Sequence, residues 1–121
     1  EQTISAFARH LEPGGLTIIE PYFSPDRYWT DRVTLNVVNE DDLKIAWMYS
    51  SKAPEDGVAA MDIHYLVGRP AGVEHFTEHH EIGLFSDEDY DRAFKDAGLV
   101  AYFDPQGYFG RGAFVAVRPE R

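Results

Sequence analysis

The stretch "HLEPGGLTIIEPYF", residues 10–23, constrains the fold more than any other part of the chain. Ile4, Phe7, Ala8 and Leu11 precede or enter it at i, i+3, i+4 and i+7, the spacing of one apolar helical face. Pro13, Gly14 and Gly15 end that helix, because proline and glycine belong just past a helix C-terminus. "LTIIE" (16–20) then reads as a short, continuously apolar strand of the kind buried on both faces of a parallel sheet. A strand of that kind demands neighbours, so the question is whether the chain supplies enough of them.

Beyond residue 20 the hydrophobic period changes. "PYFSPDRYW" (21–29) is an irregular aromatic loop, after which Val33, Leu35 and Val37 alternate with polar residues. Ile45, Trp47 and Tyr49 alternate after the polar turn "NEDD", and Met61, Ile63, Tyr65 and Val67 do so after "SSKAPEDG". "RPAG" leads into "VEHFTEHHEIGLF", completing an antiparallel meander of about four strands by period-two counting. Helical spacing returns with Tyr90, Ala93, Phe94 and Ala97 behind a Ser86/Asp89 capping box, and Gly98 suits the position just past the helix end. Two strands, "LVAYF" (99–103) and "AFVAV" (113–117), close the chain around "DPQGYFGRG".

The order is helix–strand, an inserted meander, then helix–strand–strand. Only three strands are candidates for the sheet that the first one requires, which would leave an apolar sheet edge open. This is the pattern of half an α/β domain. The absence of an initiator methionine and the opening inside a helix pattern point the same way, to a fragment or a processed product. The expected segments are 1–20 (helix and strand), 21–85 (inserted sheet) and 86–121 (helix and two strands).

Composition limits the partners. A net charge of −10 opposes nucleic acid and anionic membranes, although a few local cations can still focus a phosphorylated small molecule. With no cysteine there is no disulfide and no thiol nucleophile, as expected of a cytoplasmic enzyme. No apolar run approaches the roughly 20 residues of a membrane-spanning helix.

Several residues are candidates for chemistry. "FGRGAF" (109–114) contains G-x-G, but its glycines precede a strand and the third glycine is missing, so a nucleotide-binding loop is rejected. Arg111 between them remains a candidate phosphate clamp. "HFTEHHE" (75–81) places His75 and His79 on one strand face. No further ligand has a recognisable spacing, so the expectation is a solvated polar face and no metal. His80 lies on the other face with Phe76 and Ile82, where a polar group needs a partner. Glu20 ends an apolar strand, where ligands of open α/β sheets gather, although a local turn bond is the plainer role. His64, between Ile63 and Tyr65, reads as a structural core or rim histidine.

Taken together, "FARHLEPGGLTIIEPYFSPDRY", "MDIHYLV", "GVEHFTEHHEIGLFSDEDYDRAFKDAGL" and "GRGAFVAV" resemble the C-terminal half of class I S-adenosylmethionine-dependent methyltransferases. The resemblance is strongest to the N,N-dimethyltransferases of dTDP-amino-deoxysugars in antibiotic pathways, and it spans nearly the whole chain. It implies a Rossmann-like sheet with a substrate-covering antiparallel sheet inserted after the fifth strand. It also implies S-adenosylmethionine as cofactor, bound mainly by an N-terminal half not in this sequence, and a nucleotide-sugar substrate. By likeness the substrate side comprises Glu20, Tyr22, Phe23, Ser51, His80 and Arg111, with Arg111 near the nucleotide phosphates; Glu20 and His80 are the catalytic candidates, expected to position the reacting amine and able to accept or relay its proton.

Two departures stand out. Tyr22 and Phe23 replace a pair of tryptophans frequent in the family, which keeps an aromatic wall. Tyr49, Ser50 and Ser51 replace a serine–histidine–serine, which removes a histidine and leaves the sugar amine open. The competing readings are a small non-catalytic binding module with a pocket of Tyr22, Trp29, Trp47 and Tyr65, and an inactive methyltransferase fragment. The further partners expected are the complementary half of the fold, or a second copy through the open sheet edge.

Overall fold

The computed structural model describes residues 1–120. The chain divides into two compact units, Glu1–Arg27 with Phe85–Arg121, and Tyr28–Leu84.

The first unit contains α1 (Gln2–His10), β1 (Leu16–Ile19), α2 (Asp87–Asp96) and two strands, 100–104 and 113–117. Its sheet has the 113–117 strand in the middle, antiparallel to β1 on one side and to the 100–104 strand on the other. Leu16 pairs with Val117 and Ile19 with Phe114, while Val100 also pairs with Val117. β1 and the 100–104 strand therefore run parallel to each other without touching.

One face of this sheet carries the core. Ile4 of α1, Ala93 and Phe94 of α2, Leu99, Phe114 and Ala116 are buried together, with Ala8, Leu11 and Ile19 packed against them. Phe114 lies at the centre, with Tyr90 stacked on it at 4.9 Å and Phe94 tilted at 5.5 Å. The opposite face is open, and Leu16 and Ile18 are about half exposed (55% and 49%). Among the described residues, then, the strand is covered on one face only and has no parallel hydrogen-bonded neighbour, unlike the expected strand buried on both faces of a parallel sheet. β1 is antiparallel to its hydrogen-bonded neighbour, and α1 and α2 contribute their buried residues to one side only.

Helix α2 is bounded as its sequence requires. The Ser86 side chain accepts from the Asp89 backbone N–H, and the Asp89 carboxylate accepts from the Ser86 N–H, completing a capping box. At the other end Gly98 takes φ +73°, Leu99 N–H donates to Phe94 O, and Gly98 N–H donates to Lys95 O. This is a Schellman closure, and its two hydrophobic partners, Phe94 and Leu99, are both core residues.

The second unit is a four-stranded antiparallel meander of β2 (Arg32–Asn39), β3 (Lys44–Ser51), β4 (Val58–Arg69) and β5 (Gly72–Gly83). With the meander counted, the 100–104 strand is β6 and the 113–117 strand β7. Register fixes the two faces. Trp47 pairs with Tyr65 and Tyr65 with Phe76, making an aromatic ladder across three strands with rings stacked at 6.3 and 4.8 Å. Buried Ala59, Met61 and Val67 share that face. The other face presents Val33, Leu35, Val37 and Leu66 to solvent, beside His64, His75 and His79. Among the described residues no helix is long and apolar enough to cross a membrane.

Candidate functional site

The loop after β1 and the connection before β7 meet in the first unit. Glu20, just beyond the strand, places Oε1 3.2 Å from Nη2 of Arg111, joining residues 91 positions apart. Both side chains are largely sheltered, at 19% and 32% exposure. The Arg111 guanidinium is 5.5 Å from the Phe23 ring centroid and 5.7 Å from that of Phe109, so two aromatic faces flank it. Its Nε is buried and has no hydrogen-bond partner among the described residues. A buried donor left open costs about 1–3 kcal/mol, which an acceptor arriving there would recover.

A hollow of about 120 Å³ lies beside this pair, lined by Tyr22, Phe23, Ser24, Arg27, Gly110 and Arg111 among others. Tyr22 and Phe23 meet edge to face at 5.1 Å. Arg27 is held on Asp87 at 3.0 Å, at the start of α2. Two arginines line one small hollow, each already paired with a carboxylate, so their unused N–H donors rather than a net positive charge are what the hollow offers. The glycines around Arg111 do different things. Gly110 has open space where a side chain would be, whereas a Cβ on Gly112 would lie 2.2 Å from the Phe103 ring. Gly112 makes room for the Phe103 ring, which tilts against Phe114 at 4.8 Å, and not for a ligand.

The remaining expected site residues belong to the meander. Ser51 is buried at the end of β3, opposite Arg32, and its carbonyl accepts from Asp31 N–H. His80 lies on the ladder face, opposite Met61, with Nε2 3.2 Å from Glu78 Oε2. The Glu78 carboxylate also acts on Tyr65: desolvation first and this carboxylate second push the Tyr65 phenol upward. Glu78 is thus the partner His80 needs, and its i, i+2 spacing in a strand was the signal for it. Tyr22 belongs to the first unit, whereas Trp29, Trp47 and Tyr65 belong to the second.

The histidines of the outer face are all solvent-exposed, as a polar strand face requires. His64 is exposed and is not a core residue, because its position in the β4 register turns it away from the aromatic ladder. His75 and His79 do share a face, but His79 is taken by Asp62 (2.7 Å) and Glu81 (3.5 Å). Hydrogen bonds to Asp62 and then Glu81 raise its pKa above the ordinary histidine value. Among the described residues no group of three or more histidine, cysteine or acidic side chains is placed to hold a metal ion.

No protein-family model matches the chain. It is 37% identical over 115 residues to a dTDP-3-amino-3,4,6-trideoxy-alpha-D-glucopyranose N,N-dimethyltransferase of Streptomyces venezuelae, covering 94% of this chain and 48% of that protein. It is also 37% identical over 111 residues to a dTDP-4-amino-2,3,4,6-tetradeoxy-D-glucose N,N-dimethyltransferase of Saccharopolyspora spinosa, covering 92% and 44%. Among solved structures, DesVI of Streptomyces venezuelae superposes with a TM-score of 0.89 at 37% identity, over 97% of this chain and 49% of that one. An S-adenosylmethionine-bound amino pentose methyltransferase from Micromonospora echinaspora gives 0.84 at 33%, over 95% and 48%. The chain spans about half the length of the curated relatives it matches. By sequence and by fold it is a relative of the dTDP-amino-sugar N,N-dimethyltransferases, and its fold is one half of the class I S-adenosylmethionine-dependent methyltransferase fold.

Proposed function

We propose that this chain is the acceptor-binding, C-terminal part of an S-adenosylmethionine-dependent N-methyltransferase acting on a nucleotide-activated amino sugar in a cytoplasmic biosynthetic pathway. The observation that carries the reading is the Arg111 guanidinium, aligned by Glu20, flanked by Phe23 and Phe109, and left with a buried unpaired Nε beside a two-arginine hollow. A planar fork with free donors suits the diphosphate of a nucleotide sugar. Tyr22 and Phe23 supply an aromatic wall for the sugar or base. In this reading Glu20 positions Arg111 and, through it, the substrate. Its carboxylate is already engaged, so it serves as a positioning group before it serves as a base. Ser51 and His80 of the meander are proposed substrate-side residues by family likeness, and His80 is held by Glu78.

The described residues do not fit the cofactor. No strand runs through a glycine-rich loop into a helix, and α2 begins with Asp87, Glu88 and Asp89. Such a loop would be the contribution of a complementary half, joined at the edge of β1 that no described strand occupies. Methyl transfer from a sulfonium to a neutral amine is an in-line displacement, and what these residues can add is orientation of the acceptor.

Titration calorimetry with a dTDP-amino sugar tests the reading. The protein should bind it, and Arg111→Ala should weaken binding, or raise KM in a complete enzyme, by about 1.5–3 kcal/mol. Equal affinity in the variant would remove the basis for the proposed role.

A further inference from the structure

The outer face of the β4–β5 hairpin holds a second arrangement that the acceptor-site reading leaves unused. His64 Nδ1 and His75 Nε2 stand 3.3 Å apart, their rings parallel within 2° and their centroids separated by 5.6 Å. The register explains the meeting. His64 pairs with Thr77 and Leu66 with His75, so the two histidines are diagonal neighbours on one face of adjacent strands. The Thr77 hydroxyl lies 3.2 Å from the same His64 Nδ1.

We propose that His64 and His75 form a two-histidine clip for a divalent transition-metal cation of the zinc or copper class. Ligands at 2.0–2.1 Å on a tetrahedral ion are separated from one another by about 3.3–3.4 Å, the separation these nitrogens already have. A hydrogen bond between two imidazole nitrogens also requires that one of them present a lone pair, so the cation takes the place of the shared proton. The rings now face each other nearly in line. Both side chains are exposed, and a modest χ rotation turns their lone pairs onto a common centre. Thr77 stands where its oxygen can add a third contact, and solvent can complete the coordination.

The surrounding charge favours a cation. Asp62 and Glu81 lie on the same face, and Lys52 is the counterbalancing cation near Asp62. His79 is excluded as a ligand because both of its nitrogens are committed to those carboxylates. The clip therefore uses a different pair from the two histidines that strand alternation alone would choose.

The test needs only the protein as it stands. Cu²⁺ added at pH 7.5 should give an electron paramagnetic resonance spectrum with superhyperfine splitting from two nitrogens. Zn²⁺ calorimetry should show one site. His64→Gln and His75→Gln should each weaken that site at least about tenfold, the scale on which a lost ligand is felt. His79→Gln should leave it within about twofold. No saturable binding below about 1 mM would overturn the proposal. So would equal losses in all three variants, or a copper spectrum that His64→Gln and His75→Gln leave unchanged, which would place the metal at the amino terminus or His10.

Discussion

The two units bury their apolar residues in different ways. The helix–sheet unit closes a core on one face of its sheet, where Phe94 and Phe114 are each 1% exposed. The meander has twice-longer hairpin strands and an aromatic ladder, yet one whole face of it carries Val33, Leu35, Val37 and Leu66 in the open. Hydrogen-bonded ladders hold the second unit, whereas side-chain packing holds the first. The difference predicts that substitutions of similar size will have unequal effects in the two units.

The largest effect is expected at Phe94. Truncation to alanine empties the centre of the core and should cost about 3–5 kcal/mol. Hydrogen exchange should show protection lost in 1–27 and 85–120 and kept in β4 and β5. Simultaneous loss in both units would break the comparison. Next, Gly112→Ala sets a Cβ against Phe103 at a residue with φ +86°, and should cost about 1–3 kcal/mol in chemical denaturation. A wild-type midpoint would show that Phe103 yields easily.

Ser86→Ala should cost about 1 kcal/mol by removing the cap of α2. The same variant sharpens a pH prediction. Hydrogen bonds from the Ser86 backbone and side chain hold the Asp89 carboxyl below its usual range. Its contribution to stability is therefore present above its unfolded pKa and lost as pH falls through the lower folded value. Denaturation midpoints measured from pH 6 to pH 2.5 should fall less steeply in the variant.

The smallest effect belongs to the exposed face of the meander. His79 has its pKa raised from 6.5 by Asp62 first and Glu81 second. Its contribution is present below about 6.5 and is lost as pH rises through the higher folded value. An NMR titration of His79 should show the elevated midpoint, and Asp62→Asn should lower it. An unshifted midpoint in the native protein would count against the Asp62 contact.

What was legible in the sequence was local. The Ser86/Asp89 box, the Gly98 closure and the alternation of all four meander strands are written within a few residues of where they act. The Asp56–Gly57 pair, at φ 50° and 74°, likewise carries the signal of a tight hairpin turn, bridged between Glu55 and Val58. What escaped was set by pairing at a distance. Nothing near Arg111 announces Glu20 as its partner, and nothing near His75 announces His64. Both depend on register, where a slip of one residue moves a side chain to the other face. The one-sidedness of β1 is of the same kind, because "LTIIE" reads identically whether one or two layers cover it.

The central place of β7 also governs the order in which the fold can be made. β1 is synthesised about a hundred residues before its only described neighbour, and β6 must likewise wait for the same strand. Until residues 113–117 have left the ribosome, the two flanking strands lack the one hydrogen-bonded partner they share among the described residues, whereas each hairpin of the meander is complete as soon as its second strand emerges. On a translating ribosome the inserted sheet would therefore assemble first, and the sheet that interrupts itself to accommodate it would assemble last. Loop closure over that span is slow, so a chain stopped before Ala113 would keep the meander and leave β1 and β6 without the strand that joins them.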